Sequence, residues 1–138
     1  MRVCGMVRNE GEPGGGPYFT RNSNDEVSLQ IVESSQIDHN DKEQEGLFRS
    51  STHFNPVDLV CATFDFNGKP FNLNDFIDTN TGFISYKSKD GKDLKAMELP
   101  GLWNGAMADW ITIFVEVPIL TFNPVKTVND LLRDAHQG

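Results

Sequence analysis

Three short segments hold the residues best suited to chemistry. In IVESSQID, Glu33 stands where an apolar run ends. A carboxylate there can accept hydrogen bonds from two neighbouring hydroxyls of a sugar, and open α/β sheets bind ligands at strand ends. The same spacing also suits a solvated strand-end glutamate. In TFNPVKT, Lys126 follows Asn123-Pro124, a pair that stiffens the approach of the chain. An ammonium at that point can neutralise a phosphate oxygen, or simply face solvent. In ELPGLWNGAMADW, two tryptophans and two glycines fall within a short run. Trp103 offers an indole that can stack on a ligand ring or anchor packing.

Other chemistries find less support. Nothing in the spacing says which serine, histidine and aspartate would meet as a nucleophilic triad. His39, His53 and His136 lack the i, i+4 spacing of a helical metal site, and no CxxC or Cys/His pair has metal spacing, so no metal ligand is assigned. His53, beside Phe54, reads as a satisfied, partly buried imidazole. Cys4 and Cys61 each sit in an apolar run, VCGMV and LVCAT, and are expected as two buried thiols in a reducing compartment. Gly14, Gly15 and Gly16 lack the Lys-Ser/Thr ending of a phosphate-binding P-loop, and NEGEPGGGP reads as a mobile loop.

The elements that must position these residues are mostly strands. MRVCGMV reads as a strand beginning almost at residue 1. VSLQI alternates apolar and polar residues and Val32 extends it. VDLVCAT follows Asn55-Pro56, and ITIFVEVP is β-branched and ended by Pro118. Strands are therefore expected near 2–7, 27–32, 57–63 and 111–117. TGFISYKS and LKAMELP flank Lys89-Asp90-Gly91 as a hairpin, and Asn67-Gly68 marks a turn. Short helices are expected around 42–47 and within 71–77, where Asn72 or Asn74 would cap. One or two helical turns are expected in GLWNGAMADW. A closing amphipathic helix is expected over 128–136, with Thr127 as N-cap and Asp130 in its first turn. The fold class is α/β or α+β: a mixed β-sheet with a few short helices in one domain spanning 1–138.

Composition narrows the partners. The 138 residues carry 12 basic and 20 acidic side chains, a formal charge of −8. That balance, with no basic patch, argues against nucleic acid and against an anionic membrane surface. No apolar stretch is long enough to span a bilayer and no signal-peptide pattern opens the chain, so a cytoplasmic location is expected. Ten phenylalanines and two tryptophans supply packing area.

Five segments together, RVCGMVRNEGEPGGGP, SLQIVESSQID, THFNPVDLVC, ELPGLWNGAMADW and TFNPVKTVNDLLR, resemble the C-terminal region of a large bacterial family of unknown function. Its full-length members look like nucleotide-diphospho-sugar transferases, with a glycine-rich nucleotide loop toward the N-terminus that has no counterpart here. The order of motifs is also similar to that of UDP-N-acetylhexosamine pyrophosphorylases. Their VCxVDG and VEYSEI strands resemble RVCGMVRNEG and IVESSQI, and their VVYEV and EFSPLKN resemble IFVEV and TFNPVKT. The resemblance implies that Glu33 contacts sugar hydroxyls and Lys126 lies at the phosphates. It departs at Ser34 and Gln36, where the pyrophosphorylases have tyrosine and glutamate. Their first-strand glycine falls near Arg2, and an asparagine of their middle segment falls near Thr52. The chain is therefore expected to be the C-terminal, sugar-binding part of a longer nucleotidyltransferase-like protein. It would be inactive alone, use Mg²⁺ in its full-length form, and expose apolar surface that meets the rest of the protein or a second copy. The alternative is a non-catalytic sugar- or protein-binding module on the same scaffold.

Overall fold

The computed structural model describes residues 1–11 and 14–137. Its elements are β1 (Arg2–Arg8), β2 (Gly16–Arg21), β3 (Val27–Val32), α1 (Lys42–Arg49), β4 (His53–Phe54), β5 (Leu59–Cys61), β6 (Phe83–Lys89), β7 (Lys92–Glu98) and β8 (Thr112–Glu116), with short 3₁₀ turns between them. All four expected strand windows contain a strand, and the expected hairpin is β6–β7. The mixed sheet is centred on β1. β8 runs parallel along one edge of β1, while β5 and β4 lie antiparallel along the other. β2–β3 and β6–β7 form two further antiparallel ribbons.

β1 is central because its sequence suits burial. Cys4 and Met6 point to one face and form a cluster with Ile31 of β3, against which Leu59, Trp103 and Phe114 pack. Arg2, on the same face, is also buried. Its Nε donates to Thr112 Oγ1 at 2.9 Å and its terminal nitrogen to Gln30 Oε1 at 2.8 Å, tying β1 to β8 and β3. Burial pulls this guanidinium below its ordinary pKa. Arg2 is thus a long side chain that fills part of the interior.

Several expectations are corrected. β2 is a strand that the sequence pattern hides: the glycines before it mask the β-prone Tyr18-Phe19-Thr20. The glycine run is not a free loop in its described part. Gly15 and Gly16 are buried and lead into β2, and Gly14 lies against the Phe54 ring. A Cβ would strike Phe54 at Gly14, Ile31 at Gly15 and Tyr18 at Gly16, so close chain crossing explains all three glycines. Glu12 and Pro13 of the same stretch lie outside the described residues. Cys4 is buried, and burial pushes its thiol up, but Cys61 is exposed rather than buried. Its strand is short and its side chain falls beyond the covered part of the sheet. GLWNGAMADW forms turns instead of a helix, because Gly105 adopts φ +92°. The closing helix is two 3₁₀ turns, Val128–Leu132 and Asp134–His136. Val128, Leu131 and Leu132 are exposed, so no apolar contact supports a longer helix. The expected helix near 42–47 is α1, begun by Asp41, whose carboxylate accepts from Glu43 N and Gln44 N. The turn within 71–77 is a 3₁₀ helix, Leu73–Phe76, with Asn72 at its N-cap position.

Candidate functional site

Because β1 and β8 are parallel, both end at the same edge of the sheet. Arg8, the last residue of β1, pairs with His53 of β4. Its Nε lies 3.3 Å from Glu116 Oε1, and the other oxygen of Glu116 lies 3.4 Å from His53 Nε2. The second contact is close enough for charge pairing but off the line of a hydrogen bond, and Nε2 has no hydrogen-bond partner. His53 Nδ1 meets Thr52 Oγ1 at 2.8 Å. A cavity of about 360 Å³ opens beside these groups, lined by Arg8, Glu10 and the stretch from Glu116 to Ile119. The carboxyl ends of parallel strands are where such sheets receive ligands.

The glycine crossing brings two of the four sequence-derived candidates, Glu33 and Thr52, near this edge. Glu33 follows β3, and its Cγ lies 3.4 Å from where a Cβ on Gly15 would stand. Gly15 O accepts from Asn55 N at 2.8 Å, and Thr52 O accepts from Asn9 N at 2.9 Å. The Phe54 ring covers Gly14 and meets Phe122 edge-on, with centroids 5.0 Å apart. Phe122 opens the segment that leads to Lys126. Glu33 is half-buried and Thr52 and Lys126 are exposed. Glu33 also has a local role. It stands at the N-cap position of the 3₁₀ turn Ser34–Gln36, where Gln36 Oε1 accepts from Glu33 N at 2.7 Å and Glu33 O accepts from Gln36 N at 3.0 Å.

Trp103 lies elsewhere. It packs on the Cys4–Met6–Ile31 cluster and lines a second, open cleft of about 1060 Å³ between the β2–β3 ribbon, α1 and the 77–81 and 103–109 loops. Val32 and Gln36 border that cleft, but Glu33, Thr52 and Lys126 line neither it nor the smaller cavity beside Arg8 and Glu116. The indole thus packs on the core and also lines the cleft.

Some residues that shape this edge were less legible. Asp130 reads as a cap of its own turn, and it also holds the backbone before it. Its Oδ2 accepts from Lys126 N at 2.9 Å and Thr127 N at 2.7 Å, and Arg133 lies 2.8 Å from Oδ1. The backbone N–H groups of Thr127 and Lys126 hold its carboxyl below the usual range. Asn55 is buried. Its Nδ2 donates to Gly5 O at 2.7 Å and its Oδ1 accepts from Val57 N at 2.8 Å, fixing Val57 at φ +73°. Its one signal in the sequence is Asn-Pro, which reads only as a turn. Among the described residues, no group of three or more His, Cys, Asp or Glu is placed to hold a metal ion.

A family model described as a domain of unknown function, DUF4301, matches residues 1–137. The chain belongs to the DUF4301 family. No curated protein matches this family member. Among solved structures it is similar to UDP-glucose pyrophosphorylase from Leishmania major. One point mutant, in complex with UDP-glucose, has a TM-score of 0.57 and 18% identity; the match covers 95% of this chain and 30% of that one. A second point mutant has a TM-score of 0.55 and 20% identity over the same shares. The DUF4301 chain thus spans 30% of the length of these structures and has the fold of part of a nucleotide-sugar pyrophosphorylase. No helix among the described residues is long and apolar enough to cross a membrane.

Proposed function

We propose that this chain is the sugar-phosphate-binding part of a sugar-1-phosphate nucleotidyltransferase-like protein and does not catalyse turnover alone. The reading is supported by the fold shared with part of a pyrophosphorylase, in which the Glu33 strand end and Thr52 lie near one edge of the sheet. Glu33 would accept hydrogen bonds from sugar hydroxyls and Lys126 would meet the phosphate. In the reaction of such enzymes, an oxygen of the sugar-1-phosphate attacks the α-phosphorus of a nucleoside triphosphate and pyrophosphate leaves. Positioning and charge neutralisation supply most of the acceleration. Mg²⁺ is expected with the triphosphate, whose own oxygens supply much of its coordination. The described residues gather no cluster suited to hold it, so no step is assigned through it.

A second reading, a non-catalytic sugar- or protein-binding module, is favoured by one observation: Glu33 already serves as the N-cap residue of Ser34–Gln36, its N–H held by Gln36 Oε1. Isothermal titration of the chain with a sugar-1-phosphate and with UDP-glucose separates the two. The expected result is saturable binding that Lys126→Ala and Glu33→Gln each weaken about tenfold or more, with Tm unchanged, since an exposed lysine contributes little to folding. Binding indifferent to both substitutions would support the module reading, and turnover by the isolated chain would refute its dependence on further polypeptide.

A further inference from the structure

His53 stands between Thr52 and Glu116 at the sheet edge. The backbone around it is pinned: Ser51 Oγ donates to His53 O at 2.9 Å, and Asn9 N donates to Thr52 O at 2.9 Å. Its side chain is 21% exposed, with Nε2 buried. Nδ1 lies 2.8 Å from Thr52 Oγ1, and Nε2 lies 3.4 Å from Glu116 Oε2. The other oxygen of Glu116 faces the Arg8 guanidinium. A neutral imidazole carries a proton on one nitrogen and a lone pair on the other. A lone pair on the buried Nε2 would face a carboxylate oxygen, acceptor against acceptor. A proton on Nε2 instead turns the positive end of an N–H dipole toward Glu116, even off the line of a hydrogen bond. Nδ1 then holds the lone pair and can only accept. The Thr52 hydroxyl must spend its one proton on it.

We infer that His53 is a positioning residue that fixes the hydrogen-bond sense of Thr52, so that Thr52 receives a sugar hydroxyl and not a phosphate. Thr52 is exposed, and its hydroxyl offers a ligand lone pairs without a proton. The oxygens of a phosphate are acceptors too, and two acceptors gain nothing by meeting. A sugar hydroxyl can donate, and it completes the chain from ligand to Thr52 to His53. The sugar ring rather than the phosphate therefore lies at Thr52. That orientation rests on the reading of the strand-end edge as a sugar-phosphate site; the sense of the Thr52 hydroxyl rests on His53 and Glu116 alone.

Long-range ¹H–¹⁵N correlation spectra of the 138-residue chain, labelled at histidine, read the tautomer without any ligand. They are recorded at about pH 8, above the ordinary imidazole range. His53→Gln picks out its signals among the three histidines. The expected pattern is a protonated Nε2 and an unprotonated Nδ1. Isothermal titration then compares glucose 1-phosphate with inorganic phosphate. Thr52→Val should weaken glucose 1-phosphate about fivefold or more and Thr52→Ser should restore it, while inorganic phosphate is indifferent to both. A proton on Nδ1, or equal loss of both ligands in Thr52→Val, would overturn the inference. A chain that binds no glucose 1-phosphate would overturn the orientation together with the sugar-phosphate reading, and the tautomer alone would then decide the sense of Thr52.

Discussion

At the scale of single residues, Lys126 depends on a carboxylate assigned no contact with ligand. Asp130 takes hydrogen bonds from the backbone of Lys126 and Thr127 and so fixes where the lysine side chain starts. Asp130→Ala should speed amide exchange at Lys126 and Thr127 by about tenfold or more while leaving β1 protection intact. The pH dependence has a definite sign. The folded carboxyl is held below its ordinary value of 3.8, so its contribution is present above that value and lost as pH falls through the lower folded pKa. Protection of these two amides, corrected for intrinsic exchange, should stay flat from about pH 7 to 5 and fall only in the acid range below. Thr127 and Asp130 were legible as a cap, because the T-x-x-D spacing is local. The reach of Asp130 back to Lys126 was not legible, since it needs the 3₁₀ geometry that tertiary exposure imposes.

At the scale of elements, the edge is shaped by backbone that few residues tolerate. Val57 is β-branched yet sits at φ +73°, held by the buried Asn55 amide. Val57→Gly should raise stability by about 1 kcal/mol, measured by urea unfolding, because the strain disappears and the side chain is exposed. Gly105→Ala should do the reverse and cost about 2 kcal/mol or more, since φ is +92° and a Cβ would stand 2.7 Å from Asp78 O. Four strands announced themselves by alternation or β-branched content, and the hairpin by Asp90-Gly91. β2 did not, because Gly14–Gly16 look like linker until the crossing over Phe54, Ile31 and Tyr18 is seen. The parallel pairing of β1 with β8 was equally hidden: the two strands are separated by most of the chain, and no local pattern encodes which distant strand lies alongside.

At the scale of the whole molecule, a fold shared with part of a pyrophosphorylase brings the end of β3 and the start of β4 to one sheet edge. Glu33 and Lys126 were legible only as chemistry waiting for a scaffold. Trp103 looked similar in sequence, yet its indole rests on the core beside a different cleft. Neither cavity is lined by Glu33, Thr52 or Lys126, and sugar-phosphate is proposed to bind at the strand-end edge. Titration of the ¹⁵N-labelled chain with a sugar-1-phosphate, followed amide by amide, tests this most directly. The expected result is saturable shifts confined to residues 33–36, 52–55 and 122–130. Shifts clustered instead around Asn22, Asn80 and Asn104 of the larger cleft, or no saturable shift at all, would contradict it.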